Sequence, residues 1–231
     1  MKFDARTRLF LLLSAVFVTC LVVGDIIGGK LVQTSIAGHA FTLTVGMIPF
    51  PVTFLLTDLL NEFYGKRAAR MVTWIGFAMA ALAYVFIFIA GAIPIAALTR
   101  EAGWAGVTDE AFNRVFLSSQ RMILASLTAY LIAQLVDIWV FHALRQRTGS
   151  RLLWLRATGS TAVSQMVDTV AINLVAWVGL LSTGQIVNIV VSSYVLKLGV
   201  AVLLTPLIYA GHSLMERVFG VRSEAETTAA Q

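Results

Sequence analysis

Met47-Ile48-Pro49-Phe50-Pro51-Val52-Thr53-Phe54-Leu55-Leu56-Thr57-Asp58-Leu59-Leu60-Asn61-Glu62-Phe63-Tyr64-Gly65-Lys66 is apolar enough to lie in a bilayer, yet it holds two prolines, two carboxylates and an amide. Prolines one residue apart remove backbone donors and clash with the preceding turn. A segment spanning 40 to 60 is therefore read as an interrupted helix, whose freed carbonyls must face protein or water. A simple kink is the alternative. Asp58 and Glu62 follow the prolines and are four apart, so they share a helical face. Interrupted helices are where transporters tend to build binding sites.

The rest of the chain fits that setting. Of 231 residues, 58% are hydrophobic and only 13% charged, which leaves almost no room for a soluble domain. Runs long enough to span fall near 8–27, 40–60, 71–97, 121–143, 158–181 and 186–210. The expected architecture is all-α: a polytopic integral membrane protein with six transmembrane helices, the second interrupted, in a single domain over 1–213. A polar cytoplasmic tail follows over 214–231, disordered from Arg222 onward. Lys2, Arg6 and Arg8 precede the apolar run Leu9 to Val23 as in a secretory signal, but no small-residue cleavage site follows, so the run is read as a retained first helix. With both termini inside, twelve basic residues fall on the inner face and four on the outer, which sets the orientation. That asymmetry accounts for the net charge of +5 without a nucleic-acid partner. The partners expected are the bilayer and a small molecule, with a homo-oligomer left open. Cys20 lies inside the first run and reads as a packing residue.

Five ionisable residues, Asp25, Asp58, Asp137, Asp168 and Lys197, lie in or beside the apolar runs. An unpaired charge at the bilayer centre costs about 2.5–3.5 kcal/mol on insertion scales, so such residues pair, face water or bind something. Residues 133–138 read Ala-Gln-Leu-Val-Asp-Ile and residues 164–169 read Ser-Gln-Met-Val-Asp-Thr. In each, Gln and Asp are three apart on one helical face, so Gln134 with Asp137 and Gln165 with Asp168 could line one pocket. Ser160, Thr161, Ser164 and Asn173 make the fifth span the most polar, as binding groups or as glue between helices. Lys197 is a counter-ion for one of the aspartates, and an ion pair remains the alternative for each of the five.

Several chemistries are set aside. Gly24-Asp25-Ile26-Ile27-Gly28-Gly29-Lys30 matches seven positions of a phosphate-binding loop, but Leu31 stands where Ser or Thr must hold magnesium. Gly24 and Gly28 read instead as a small-residue surface that admits another helix. An aspartyl protease motif fails at Val22, and His39, His142 and His212 are scattered without metal-ligand spacing, so neither an enzyme nor a cofactor is expected. A pocket of carboxylates and amides suits planar donors, such as the N1–H and 2-amino edge of guanine. Phe50, Phe54, Phe63, Tyr64, Trp139, Trp177 and Tyr194 are available to stack on such a ring or to pack the bundle.

The stretch from Phe50 to Lys66 closely resembles the signature of the queuosine precursor transporters, also called the vitamin uptake transporter family. Three further stretches agree in the same order: Ala133-Gln134-Leu135-Val136-Asp137-Ile138-Trp139-Val140-Phe141; Trp154-Leu155-Arg156 with Ser160-Thr161 and Ser164-Gln165-Met166-Val167-Asp168-Thr169; and Tyr194-Val195-Leu196-Lys197. The resemblance spans about residues 20 to 210. It implies a bacterial inner-membrane importer of 7-deazaguanine precursors of the tRNA base queuosine, namely 7-cyano-7-deazaguanine and 7-aminomethyl-7-deazaguanine. The substrate-binding residues expected are Asp58, Glu62, Gln134, Asp137, Gln165, Asp168, Lys197, Phe54 and Asn173. Two positions depart from the pattern: Asp25, where members often have Asn, and Leu204 before Thr205-Pro206, where one branch has Asp. The ligand is expected to enter past the 98–120 loop, with Asp58, Asp137 or Asp168 gripping its edge. Protonation of a buried Asp would couple uptake to a proton gradient, and ATP-driven uptake would need separate subunits, since no ATP site is present. Rival readings are an importer or substrate-binding subunit for another heterocycle or vitamin, and a non-transporting membrane scaffold.

Overall fold

A computed structural model describes residues 4–28, 30–36, 39–100, 104–117, 120–148, 152–217 and 220. Helix α1 (Ala5–Ile27) starts where the Asp4 side chain accepts a hydrogen bond from the Thr7 amide, satisfying one of the unpaired donors of the first turn. A two-stranded antiparallel hairpin follows, β1 (Leu31–Ile36) against β2 (His39–Thr44), with Leu31 opposite Thr44. A 3-10 turn, Val45–Met47, leads into α2 (Phe50–Ala92).

Here the structure differs from the expected interruption. Pro49 is the N-cap of α2 and Pro51 lies in its first turn, where a missing amide donor costs nothing because that donor has no helical partner. The prolines open a helix and do not divide one, and the segment before them is hairpin rather than membrane helix. The true break is at Gly65, whose φ of 74° and ψ of 179° belong to a region that only glycine populates readily. Two helical arms meet there at a kink. In a straight helix Asp58 and Tyr84 would stand ~39 Å apart, yet both line the same cavity.

A 3-10 turn (Ala97–Arg100) and the short helix α3 (Asp109–Phe116) occupy the loop that follows. Thr108 caps α3 through the Ala111 amide, and Asp109 and Glu110 sit in its first turn with Arg114 in the last, matching the helix dipole. Then come α4 (Gln120–Thr148), α5 (Leu153–Trp177) and α6 (Thr183–Arg217). Among the described residues, four stretches are long and apolar enough to cross a membrane: Ala5–Ile27, Val45–Ala92, Ile123–Thr148 and Thr183–Arg217. Helix α6 continues four residues into the expected tail, and the rest of that tail, apart from Gly220, lies outside the described residues.

Burial is inverted relative to a water-soluble bundle. Leu12, Phe86, Trp139 and Leu203 are exposed, while Asn61, Glu62, Arg156, Ser160 and Ser164 are buried. An apolar exterior around a polar interior is what a bilayer solvates. Hydroxyls inside the apolar segments bond back to their own helix, Thr57 to the Thr53 carbonyl and Thr73 to that of Ala69, so they need no water. Leu9, Leu59, Phe63 and Met215 form one core cluster, which brings the start of α1, the middle of α2 and the end of α6 to the same end of the bundle. We call this the terminal end, and the opposite one, where β1 and β2 join α1 to α2, the hairpin end.

Candidate functional site

A cavity of about 780 Å³ lies in the bundle, lined toward the hairpin end by Gly28, Gly46, Met47 and Pro49. Its size falls within the roughly 300–1,000 Å³ of small-molecule sites. All six helices contribute, Val115 and Phe116 from α3, and Gly28, Gly46 and Met47 also line the wall. Gly24 lets α1 and the start of α2 meet there, since a Cβ on it would sit 3.1 Å from the Pro49 ring.

The echo between α4 and α5 resolves into geometry. Gln134 and Asp137 project from α4, Gln165 and Asp168 from α5, and all four line the cavity. Asp137 Oδ1 accepts from Ser164 Oγ at 3.0 Å. Asp168 Oδ2 is 2.6 Å from Lys197 Nζ of α6, and that ammonium lies 5.5 Å from the Phe50 ring centre. Phe50 and Phe54 stack edge-on, their centroids 3.9 Å apart. Asn173 also lines the cavity, its amide donating to the Thr169 carbonyl at 2.7 Å. Of the nine residues expected to bind substrate, eight share this wall. Glu62 does not. It lies one turn deeper, 3.0 Å from Arg156, with both side chains almost wholly buried.

Four other aromatic residues expected to stack lie away from the cavity, among them Tyr64, which packs against the cluster of Leu9, Leu59, Phe63 and Met215. Trp139 is exposed on the outside of the bundle, the Tyr194 hydroxyl donates to the Ala162 carbonyl, and Phe63 packs at the terminal end. The Trp177 side chain lies outside the described residues. Sequence reading missed Tyr84, Ser126 and Tyr130, which line the cavity near Asp25. Ser126 Oγ donates to Asp25 Oδ1 at 2.9 Å. The polar spacing of Ser126 and Tyr130, four apart on α4, was the available signal.

What remains unpaired defines the chemistry of the wall. Asp58 Oδ1, Gln134 Oε1, Gln165 Oε1, Thr169 Oγ1 and Asp25 Oδ2 are shielded from solvent and reach no hydrogen-bond partner among the described residues. Asp58 is 3% exposed and Gln165 8%, so neither is a surface group awaiting water. A buried polar atom left unpaired costs about 1–3 kcal/mol, which a complementary ligand recovers. Four of the five are carboxylate or amide oxygens, and they call for donors. The charged groups on the wall are four aspartates and one lysine. No group of three or more His, Cys, Asp or Glu with metal-binding proximity occurs among the described residues.

Comparison with known proteins follows the same outline. A family profile described as "Putative vitamin uptake transporter" matches residues 44–211. The chain is 34% identical to a protein of Bacillus subtilis (strain 168) named "Probable queuosine precursor transporter", over 75% of this chain and 73% of that one. It is 33% identical to the "Queuosine precursor transporter" of Escherichia coli (strain K12), over 64% of this chain and 61% of the other. Identity to a protein of Haemophilus influenzae, named as in B. subtilis, is 30% over 56% and 50%. No solved structure matches.

Proposed function

Because the chain belongs to the vitamin uptake transporter family, a family of multi-pass membrane transporters and not of enzymes, we propose that it imports queuosine precursors of the 7-deazaguanine type across the bacterial inner membrane. The names of its relatives in B. subtilis and E. coli support the substrate class. The observation that carries the reading is the trio of unpaired acceptors, Asp58 Oδ1, Gln134 Oε1 and Gln165 Oε1, on one cavity wall. A 7-deazaguanine offers N1–H, its 2-amino group and the pyrrole N–H as matching donors, and Phe50 and Phe54 supply a ring surface against its face.

Six crossings fit the helices: α1, the two arms of α2 on either side of Gly65, α4, α5 and α6. Helix α5 carries too many polar residues to register as a span by hydropathy, and its polar face is the cavity wall. With the basic residues of the termini in the cytoplasm, the hairpin end faces outward and the cavity receives substrate from outside, past α3. Bound substrate would then leave through the terminal end once the Glu62–Arg156 pair opens. Protonation of Asp58 or Asp137 is a route for coupling to the proton gradient.

The test is queuosine content of tRNA in cells that neither make nor import the precursor, expressing this chain and fed 7-cyano-7-deazaguanine or its aminomethyl analogue. Wild type should restore queuosine. Asp58→Asn, at equal membrane abundance, should reduce uptake by about ten- to a hundredfold, the equivalent of one lost charged hydrogen bond of ~1.5–3 kcal/mol. Well-expressed wild-type protein that restores nothing with either compound would exclude this substrate class.

A further inference from the structure

The cavity holds two carboxylate pairs in different states. Asp58 and Asp137, within electrostatic range of each other, lie deep, near Gln134 and Gln165. Asp25 and Asp168 form the second pair. Asp168 has its counter-ion in Lys197, and Asp137 is held by Ser164. Asp25 has one neutral donor, Ser126, on Oδ1, while Oδ2 is shielded and unpartnered. It sits three residues before the Gly28 cap, and both residues line the cavity.

Its surroundings suit one kind of group. The Tyr84 and Tyr130 rings line the cavity within electrostatic range of Asp25. Tyr130 commits its hydroxyl elsewhere, donating to the Thr73 carbonyl at 3.2 Å, so its ring and not its O–H is offered to a ligand. A neutral donor would satisfy Oδ2 with a single hydrogen bond. An ammonium would add charge compensation and further donors, and aromatic rings lining the same cavity add to its preference for a cation. With four carboxylates against one lysine on the wall, the cavity as a whole favours positive charge.

We propose that Asp25, with Tyr84 and Tyr130, forms an ammonium subsite distinct from the floor that holds the heterocycle edge, and that it makes this chain select a ligand with a cationic side arm over its neutral counterpart. The inference rests on the substrate class proposed above. The two 7-deazaguanines share one ring system and differ at the 7-substituent, an ammonium in one and a nitrile in the other, so they isolate the subsite.

The test is binding of both compounds, and of benzylammonium, to the purified full chain in lipid nanodiscs. Wild type should bind the aminomethyl compound at least tenfold more tightly than the cyano compound. Asp25→Asn, nearly isosteric, should bring that ratio close to one, mainly by weakening the aminomethyl compound, and Asp25→Glu should retain part of the preference. Equal weakening of both ligands, or a wild-type ratio near one, would overturn the proposal. Binding of neither 7-deazaguanine would count against the proposed substrate class alone. In that event benzylammonium decides the subsite: it should bind wild type and not Asp25→Asn, and failure to do so sinks the proposal as well.

Discussion

The two ends of this bundle bury polar side chains in opposite ways. At the hairpin end, Asp58, Gln134 and Gln165 keep oxygens unpaired against an open cavity. At the terminal end Glu62 and Arg156 close on each other at 3.0 Å, and the guanidinium lies 5.9 Å from the Phe141 ring, which packs with Leu153, Ala157 and Ile208. Asp58 and Glu62 are one helical turn apart on the same face of α2, yet one faces a void and the other a cation. Buried charge alone therefore does not mark a binding site; the state of its partner does. The open end is built to gain from a ligand, and the closed end is built as a seal.

Breaking the seal should have the largest effect. Arg156→Met leaves the Glu62 carboxylate buried without its cation, and removal of one partner of a buried pair costs about 3–5 kcal/mol. Thermal unfolding of the protein in detergent should register that loss. The double substitution Glu62→Leu with Arg156→Met should recover most of it, since apolar replacement of a whole pair is often neutral. If the double variant is no more stable than the single one, the pair does more than hold that end shut.

The cavity end should respond the other way. Gln165→Leu removes an amide whose oxygen has no partner, so stability should hold or rise slightly. Affinity for the proposed 7-deazaguanine ligand should fall by roughly two- to tenfold, the worth of one neutral hydrogen bond of about 0.5–1.5 kcal/mol. Measured together, melting temperature and ligand dissociation constant separate the two ends: Arg156→Met moves the first and Gln165→Leu the second. A destabilised Gln165→Leu protein with unchanged affinity would make α5 polar glue and remove Gln165 from the site.

Much of this contrast was legible in the residues, and the part that was not has a physical reason. The Gln-x-x-Asp spacing on α4 and α5 is a local property of a helix, so it placed four wall residues correctly. The prolines were misread because a proline pair in an apolar run looks the same whether it breaks a helix or begins one. The alternation in Phe41-Thr42-Leu43-Thr44 is a strand period, and it marked the hairpin that the hydropathy of 40–60 concealed. Glu62 shares a helical face with Asp58, but its partner, Arg156, arrives from α5 through tertiary packing that no spacing encodes. Ser126 reaches Asp25 by the same kind of long-range packing.

The smallest effect belongs to the mouth, and it bounds the argument. Glu110 and Arg114 form an ion pair four residues apart on α3, both about three-quarters exposed. Exposed pairs of this kind contribute little, so Glu110→Gln should change the melting temperature by the equivalent of less than about 0.5 kcal/mol. Because α3 also supplies Val115 and Phe116 to the cavity wall, the same variant tests whether charge at the mouth matters to a ligand on its way in. An ammonium ligand drawn by local carboxylates should enter a little more slowly without Glu110, and the difference should vanish as salt is raised past a Debye length of about 8–10 Å. A slowing that persists at high salt would mean that α3 acts by shape, and would move the boundary of the open end outward from the aspartates to the loop itself.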